Sequence, residues 1–299
     1  MPAEEVHLFL NPTAGRGRAG KRQARILELL AASTAKIIIH NSSAVGDLEN
    51  QVAAAVKSGA RRLVVAGGDG SIHEAVNGIF AAGKDAALGV IPTGTGNDFA
   101  KACDIPLDWE HATRLLADRL REQVTARRVD IGRCNDRYFA NGAGIGFDAK
   151  ATRVARSIRL PIGDIVYLIA IVRAMSDGVA TPNMRITGDE FQWHGPVTLA
   201  NIANGPWVGG MFHIAPAASN ADGEFDLVIA KPVTRRRILG LLPKLMKGTH
   251  VDEDEVVVHR VRRLQVATDE VMPSHLDGEV QPLQSEFDVE LLPGALRLL

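Results

Sequence analysis

At 299 residues the chain is long enough for about two domains of ~150 residues each, with a core that needs no disulfide or metal. Hydrophobic residues at 46% and charged residues at 23% exclude a disordered or collagen-like chain. The 34 Lys and Arg nearly balance the 35 Asp and Glu, so overall charge selects no anionic partner and only local clusters can. Cys103 and Cys134 are the only cysteines, too few for a Cys-rich zinc site or a disulfide framework, which points to a reducing cytoplasm. The N-terminal stretch lacks the basic and apolar regions of a signal peptide. The longest apolar run, Ile165 to Met175, is broken by Arg173 and falls short of the ~20 residues of a spanning helix. A soluble, cytoplasmic protein is the expectation.

In chain order, Val6–Leu10, Lys36–His40, Arg62–Ala66 and Ala87–Ile91 read as strands, each aliphatic or β-branched and each followed by a turn. Between them Ala19–Ala32, Asp47–Lys57 and Ser71–Ala82 carry helical spacing, with Asp47 and Ser71 placed as N-caps. This alternation predicts a parallel sheet with helices on both faces and ligands at the carboxyl edge of the strands. Beyond about residue 127 the texture changes. Helical stretches at Asp148–Arg159 and Ile165–Ser176 precede short alternating segments at Asn183–Ile186, Val197–Ala203, Phe225–Ala230, Glu255–Arg260, Arg262–Ala267 and Glu286–Leu291. One amphipathic helix, Arg235–Lys247, interrupts them. An antiparallel β-sandwich is expected for residues 128–299, behind an α/β domain over residues 1–127.

Two familiar motifs fail on mechanics. Gly15, Gly17 and Gly20 satisfy the dinucleotide fingerprint, and Gly15 to Arg22 is one residue short of a P-loop. Arg22 stands where a P-loop needs a hydroxyl for Mg²⁺, and His40-Asn41-Ser42 offers no acid for a ribose. A basic turn opening a helix is the plainer reading, and a helix N-terminus beside Arg16 remains a good phosphate neighbour.

Three loops on one sheet edge carry more. They follow the first, third and fourth strands: Asn11-Pro12-Thr13-Ala14-Gly15, Gly67-Gly68-Asp69-Gly70-Ser71-Ile72-His73-Glu74, and Pro92-Thr93-Gly94-Thr95-Gly96-Asn97-Asp98. Gly67, Gly68 and Gly70 allow backbone to approach a triphosphate, and the following helix offers N–H groups to its charge. Asp69 is a poor phosphate neighbour unless a Mg²⁺ lies between them. Thr95 and Gly96 add a second cluster, and Asn97 caps the next helix. Each loop alone could be a tight turn; three on one edge argue against a purely structural role.

These residues resemble the diacylglycerol kinase catalytic-domain family, in particular its soluble bacterial lipid kinases. The carriers are N-P-T-A-G (11–15), G-G-D-G-S with E-A-V-N-G (67–78), G-V-I-P-T-G-T-G-N-D-F-A (89–100), V-D-I-G (129–132), F-A-N-G-A-G-I-G-F-D (139–148), A-D-G-E-F-D (221–226) and L-D-G-E (276–279). Ser71 departs from the usual Thr but keeps the hydroxyl. The resemblance implies an N-terminal α/β domain holding ATP, a C-terminal β-sandwich, and an active site between them. It places ATP against Asn11, Pro12, Thr13, Ala14, Gly15, Ser42, Gly67, Gly68, Asp69, Gly70, Ser71, Ile72, His73 and Thr95. Asp69, Asp98 and Asp130 would form a water-linked acidic network positioning Mg²⁺. Taken alone, Asp98 reads as a capping residue and Asp130 as a turn acid. Glu279 would be the general base, although Asp277-Gly278-Glu279 without the family is simply a hairpin turn. The Asp222 carboxylate, with the backbone carbonyls of Ser219 and Glu224, would hold a second, structural Mg²⁺; the alternative is an Asp-Gly turn before the strand at Phe225–Ala230.

The implied activity is ATP- and Mg²⁺-dependent phosphorylation of the hydroxyl of a diacylglycerol-like lipid. A NAD kinase-like enzyme or a nucleotide-binding regulator without catalysis are the alternatives. The expected partners are a membrane lipid, a membrane surface contacted reversibly, and at most a second copy of the chain, with no nucleic acid. Two basic clusters suit an anionic surface: Lys150, Arg153, Arg156 and Arg159 along one helix, and Arg235, Arg236, Arg237, Lys244 and Lys247 on another. Solvated helix faces would look the same. Trp207 and its flanking glycines are placed either in a lipid cleft or in the core.

Overall fold

The computed structural model describes residues 5–83, 86–158, 165–176 and 178–299, with the side chains at positions 14–16 and 18 left aside. The chain forms two compact units. One runs to Asp130 and takes in Gly294–Leu299; the other is Ile131–Pro293.

The first unit runs β1 (Glu5–Leu10), α1 (Ala14–Leu30), β2 (Lys36–Asn41), α2 (Asp47–Lys57), β3 (Arg62–Gly67), α3 (Asp69–Ala81), β4 (Ala87–Pro92), α4 (Asp98–Ala102), α5 (Trp109–Arg121) and the start of β5 (Arg127–Cys134). Its strands pair in parallel in the order β2-β1-β3-β4, so the carboxyl ends of β1, β3 and β4 share one edge. Val6, Leu8, Leu10, Val64, Ala66 and Ile91 alternate onto one face. There they meet Ile26 and Leu30 of α1 and Leu116 and Leu120 of α5. Helices α2 and α3 pack against β1 and β3 and against each other. They approach closely because residue 78 is glycine: a Cβ there would lie 2.5 Å from Glu49 O and 2.9 Å from Val52 Cβ.

Two helix starts, those of α1 and α3, and the N-caps of α2 and α3 differ from the sequence-based expectation. Helix α1 begins at Ala14, so Gly15, Gly17 and Gly20 lie in its first turns and not in a separate basic turn. Gly20 allows the preceding loop to fold back, its N–H donating to Pro12 O at 3.2 Å. Helix α3 begins at Asp69 with Gly68 at the N-cap, so Ser71 lies inside the first turn. Asp47 is likewise inside α2, behind Gly46, and its carboxylate accepts from Ser43 N and Oγ. Two amides at the start of α2, Leu48 N and Glu49 N, instead donate to Glu74 Oε2 at 3.1 and 3.4 Å.

The second unit continues β5 and adds β6 (Arg137–Phe139), β7 (Gly142–Gly146), α6 (Phe147–Ser157), α7 (Ile165–Ser176), β8 (Asn183–Gly188), β9 (Gln192–Pro196), β10 (Leu199–Ala203), β11 (Phe225–Ala230), α8 (Arg235–Lys247), β12 (Val256–Val261), β13 (Arg263–Met272), β14 (Ser274–Leu276), β15 (Glu279–Val280) and most of β16 (Gln284–Leu298). One sheet is antiparallel in the order β12-β11-β10-β7-β14-β15. Facing it, β16, β13, β8 and β9 pair in turn, with the β5–β6 hairpin on the other side of β16. Alternate residues of both sheets form the intervening core, including Ile145, Ile202 and Phe225 on one side and Ile186, Val266 and Phe287 on the other. This is the expected α/β domain and antiparallel sandwich. The end of β16 returns to the first unit, where Arg297 and Leu298 pair in parallel with Ala87 and Leu88 of β4.

Candidate functional site

In the first unit, the loops after β3 and β4 are built against each other. A Cβ at Gly94 would lie 2.5 Å from Gly68 Cα and 2.7 Å from Asn97 Oδ1, and one at Gly67 would overlap Ser71. Gly68 and Gly94 therefore let two main chains touch, Gly67 makes room for the Ser71 side chain, and Thr93 N donates to Gly67 O at 2.9 Å to close the contact. Asn97, at φ +51°, stands at the N-cap of α4, but its amide bonds back to Gly94. The α4 amide at Phe99 instead donates to Asp69 Oδ1 at 3.1 Å, so Asp69 links the two loops. In the loop after β1, Asn11 Oδ1 accepts from Thr13 N at 3.0 Å and from Thr13 Oγ1 at 2.7 Å. Ser42, just beyond β2, joins the same edge through its N–H to Leu10 O.

Not every expected contact faces outward. Thr95 is exposed, whereas Ile72 and His73 are only 1% and 3% exposed and turn into the core. The amides of Ser71 and Ile72 donate to Gly68 O. Asp98 is buried and pairs with Lys101 at 3.1 Å. Asp130, also buried, accepts from Gly294 N at 2.6 Å, which fastens the returning C-terminal segment. Both are thus engaged by protein groups.

In the second unit, Asp277 and Gly278 make a two-residue hairpin turn between β14 and β15, both with positive φ (+51° and +82°). Such turns favour Asp-Gly because they demand left-handed backbone at both positions. The Asp277 carboxylate accepts three amides: Ala140 N at 2.9 Å, Asn141 N at 2.7 Å and Gly142 N at 3.1 Å. The N-G-A-G segment is held in turn by Asn204 Nδ2 to Ala140 O and by Asn141 Nδ2 to Trp207 O, both 2.7 Å. Glu279 begins β15, and Arg156 donates to its Oε2 and, at 3.1 Å, to Gly278 O. Sequence reasoning singled out Glu279 and passed over Asp277, Asn141 and Asn204. The signal available for Asp277 was its place in L-D-G-E; the partners of the two asparagines are distant in sequence.

The same unit contains a pocket of about 920 Å³, part of it open to solvent. Its walls come from α6, α7, α8, the sheet behind them and the loop between β10 and β11, among them Phe147, Ile171, Leu199, Phe212 and Leu242. Polar groups are few: Asp148, Thr152, Thr198, Tyr167 and His250. Burial pushes the His250 imidazole below its ordinary pKa, and its ring nitrogen lies 3.0 Å from Ile214 O. Trp207 stacks on His213, with ring centroids 4.2 Å apart.

The basic clusters are largely committed elsewhere. Lys150 donates to Gly178 O, Arg156 holds Glu279, and Arg159 lies outside the described residues. Arg237 pairs with Glu253 and Glu255, and Lys244 pairs with Glu253. Arg235, Arg236 and Arg153 remain exposed. The expected cation site also looks different in three dimensions. Asp222 pairs with Arg260, and Glu224 pairs with Arg260 at 3.0 Å and with Arg262 at 3.5 Å. The one side-chain ligand expected there, the Asp222 carboxylate, is thus engaged by an arginine, while the expected backbone carbonyls of Ser219 and Glu224 flank the Asp-Gly turn. Among the described residues, no group of three or more His, Cys, Asp or Glu could hold a metal ion.

Residues 5–134 match the diacylglycerol kinase catalytic domain, and residues 141–299 match the YegS C-terminal NAD kinase beta sandwich-like domain. The chain is similar to a Bacillus subtilis protein named "Diacylglycerol kinase", with 30% identity over 287 residues covering 92% of this chain and 90% of the relative. A Pseudomonas aeruginosa protein named "Probable lipid kinase YegS-like" is 33% identical over 255 residues, 85% of this chain and 81% of that one. A solved structure from Bacillus anthracis matches with TM-score 0.81 at 24% identity, covering 100% of this chain and 97% of its own, a likeness of fold. The chain belongs to the family that joins a diacylglycerol kinase catalytic domain to a YegS-type NAD kinase beta sandwich-like domain.

Proposed function

We propose that this protein is a lipid kinase that uses ATP and Mg²⁺ to phosphorylate the hydroxyl of a diacylglycerol-like lipid. The observation that carries the lipid half is the apolar pocket of the second unit, in the same unit as the turn bearing Glu279. A pocket walled by α6, α7 and α8 with so few polar groups suits an acyl chain and not the ribose or nicotinamide of NAD. The relatives named diacylglycerol kinase and lipid kinase agree with that reading.

In this reading the first unit holds the nucleotide at the edge formed by Asn11–Gly15, Gly67–Gly70 and Thr95. The N-terminus of α3 suits phosphate because its first amides and its dipole favour negative charge. Asp69 fits a Mg²⁺ that arrives with the nucleotide, since such an ion keeps waters and phosphate oxygens as most of its ligands. When bound, the ion would neutralise charge on the phosphates. Glu279 accepts the proton of the lipid hydroxyl as its oxygen attacks the γ-phosphorus, and ADP leaves. Arg156 occupies Glu279 Oε2 and orients the side chain, so Oε1 is the oxygen offered to the hydroxyl.

Contact with the bilayer is proposed through α7, where Ile165, Ile169 and Val172 are 53%, 39% and 51% exposed at i, i+4 and i+7. The exposed Arg235 and Arg236 of α8 add attraction to anionic lipid. No described helix is long and apolar enough to cross the membrane. The deciding experiment offers labelled ATP with diacylglycerol, a sphingoid base, ceramide, phosphatidylglycerol or NAD. Label on a lipid hydroxyl is expected; label on NAD alone would overturn the proposal.

A further inference from the structure

Three neighbouring strands place His275 of β14, Gly144 of β7 and Asn201 of β10 side by side. Gly144 leaves a gap over which two other side chains meet: a Cβ there would run into Asp148 and into His275 Nε2. His275 is 1% exposed. Its Nδ1 accepts from Gly278 N at 3.2 Å, and its Nε2 faces Asp148 Oδ2 across 3.5 Å. Asp148 Oδ2 also accepts from Asn201 Nδ2 at 3.1 Å, while Oδ1 accepts from Ala149 N at 2.7 Å. Asp148 lies in the first turn of α6 and lines the apolar pocket.

A ring nitrogen that accepts a hydrogen bond carries no proton, so the neutral ring keeps its proton on Nε2, toward the carboxylate. We propose that Asp148 and His275 form a positioning pair: Asp148 selects the tautomer of His275, and His275 holds the amide of Gly278, fixing the turn that presents Glu279. This rests on Glu279 being the base. The pair connects the wall of the lipid pocket to the base through three groups, so the pocket and the base share one support. The opposite tautomer would point an N–H at the N–H of Gly278 and loosen the turn.

The test compares Asp148→Asn, His275→Asn and the double variant in the full chain, reading kcat, KM and hydrogen exchange at the Gly278 amide. Because Oδ1 is kept by Ala149 N and the Asn201 amide can turn its unpartnered Oδ1 to accept, the amide nitrogen introduced by Asp148→Asn takes the place of Oδ2 and favours the wrong tautomer. Asp148→Asn is expected to lower kcat tenfold or more with nucleotide KM unchanged, and to speed Gly278 exchange. The conservative variant His275→Asn places its oxygen near the position of Nδ1, so Gly278 protection and most of kcat should be kept. On that background Asp148→Asn should cost nothing further. Equal losses on both backgrounds, or a change confined to lipid KM, would overturn the pair. Exchange is read without substrate, so it judges the pair even if no lipid is phosphorylated, and the two readings fail separately. A Gly278 amide equally protected in all three variants would also overturn it.

Discussion

The loop edge of the first unit and the β7 floor of the second use glycine in opposite ways. At the edge of the first unit, Gly68 and Gly94 bring loop backbones together, so that Gly94 lies where any Cβ would meet Gly68 Cα at 2.5 Å. In the second unit two glycines, Gly144 and Gly132, make room for side chains. Gly144 lies beneath Asp148 and His275, and the ring of Phe139 fills the space where Gly132 would carry a Cβ. The first arrangement builds a rigid main-chain edge; the second builds a floor on which a polar network is seated. A glycine motif thus reports close approach, while what approaches is decided by the fold.

The largest effect should come from the residue that this contrast leaves to chemistry. Glu279→Gln keeps size and packing but removes the base, and should lower turnover about 10²–10⁴-fold. Nucleotide binding, measured by calorimetry, should be unchanged. Turnover near the parent's would remove Glu279 from the mechanism.

Alanine substitutions separate the two uses of glycine directly. Gly94→Ala forces backbone against backbone, which cannot rotate away, and should cost about 1–3 kcal/mol in urea unfolding. Gly144→Ala meets the ends of two side chains that can turn aside, so its stability cost should be smaller while its turnover loss is larger. The reverse ranking would break the comparison.

Acid should affect both units. His7 and His40 in the first unit and His213 and His250 in the second have depressed pKa values, with burial the first cause in each. Each stays neutral in the fold and takes up a proton on unfolding once pH falls below the ordinary value of about 6.5. Their stabilising contribution is present above that pH and is lost as pH falls toward the folded values. The urea midpoint should therefore drop between pH 7 and pH 5; a flat profile would contradict it.

The smallest effect is an inertness. Burial, with Asp288 nearby, pushes the Cys134 thiol up to about 12. It should resist thiol reagents at pH 8 in the folded protein and react on unfolding. Prompt labelling of the native chain would show that its site opens.

Legibility varied with the range of the interaction. The first four strands matched to within a residue at either end, because a buried parallel strand is a local run of aliphatic residues. Strand β7, Gly-Ala-Gly-Ile-Gly, was not predicted, since glycine weakens strand propensity and only its neighbours β10 and β14 hold it in place. Asp277 looked like a turn residue and is one; that its carboxylate gathers three amides from residues 140–142 depends on contacts about 136 positions away. Arg156 read as part of a basic surface stripe, yet it reaches Glu279 across 123 positions.

By itself, the sequence determined the two-part architecture, the loops at the edge of the first sheet and the D-G-E turn. Apolar periodicity, turn chemistry and motif order are properties of neighbouring residues. The tertiary structure alone decided which acids are engaged: Asp98 by Lys101, Asp130 by Gly294, Asp222 and Glu224 by arginines, and Asp148 by Asn201 beside His275. A carboxylate's role depends on the charges and donors within a few ångströms of it, and those come from chain segments that only folding brings near.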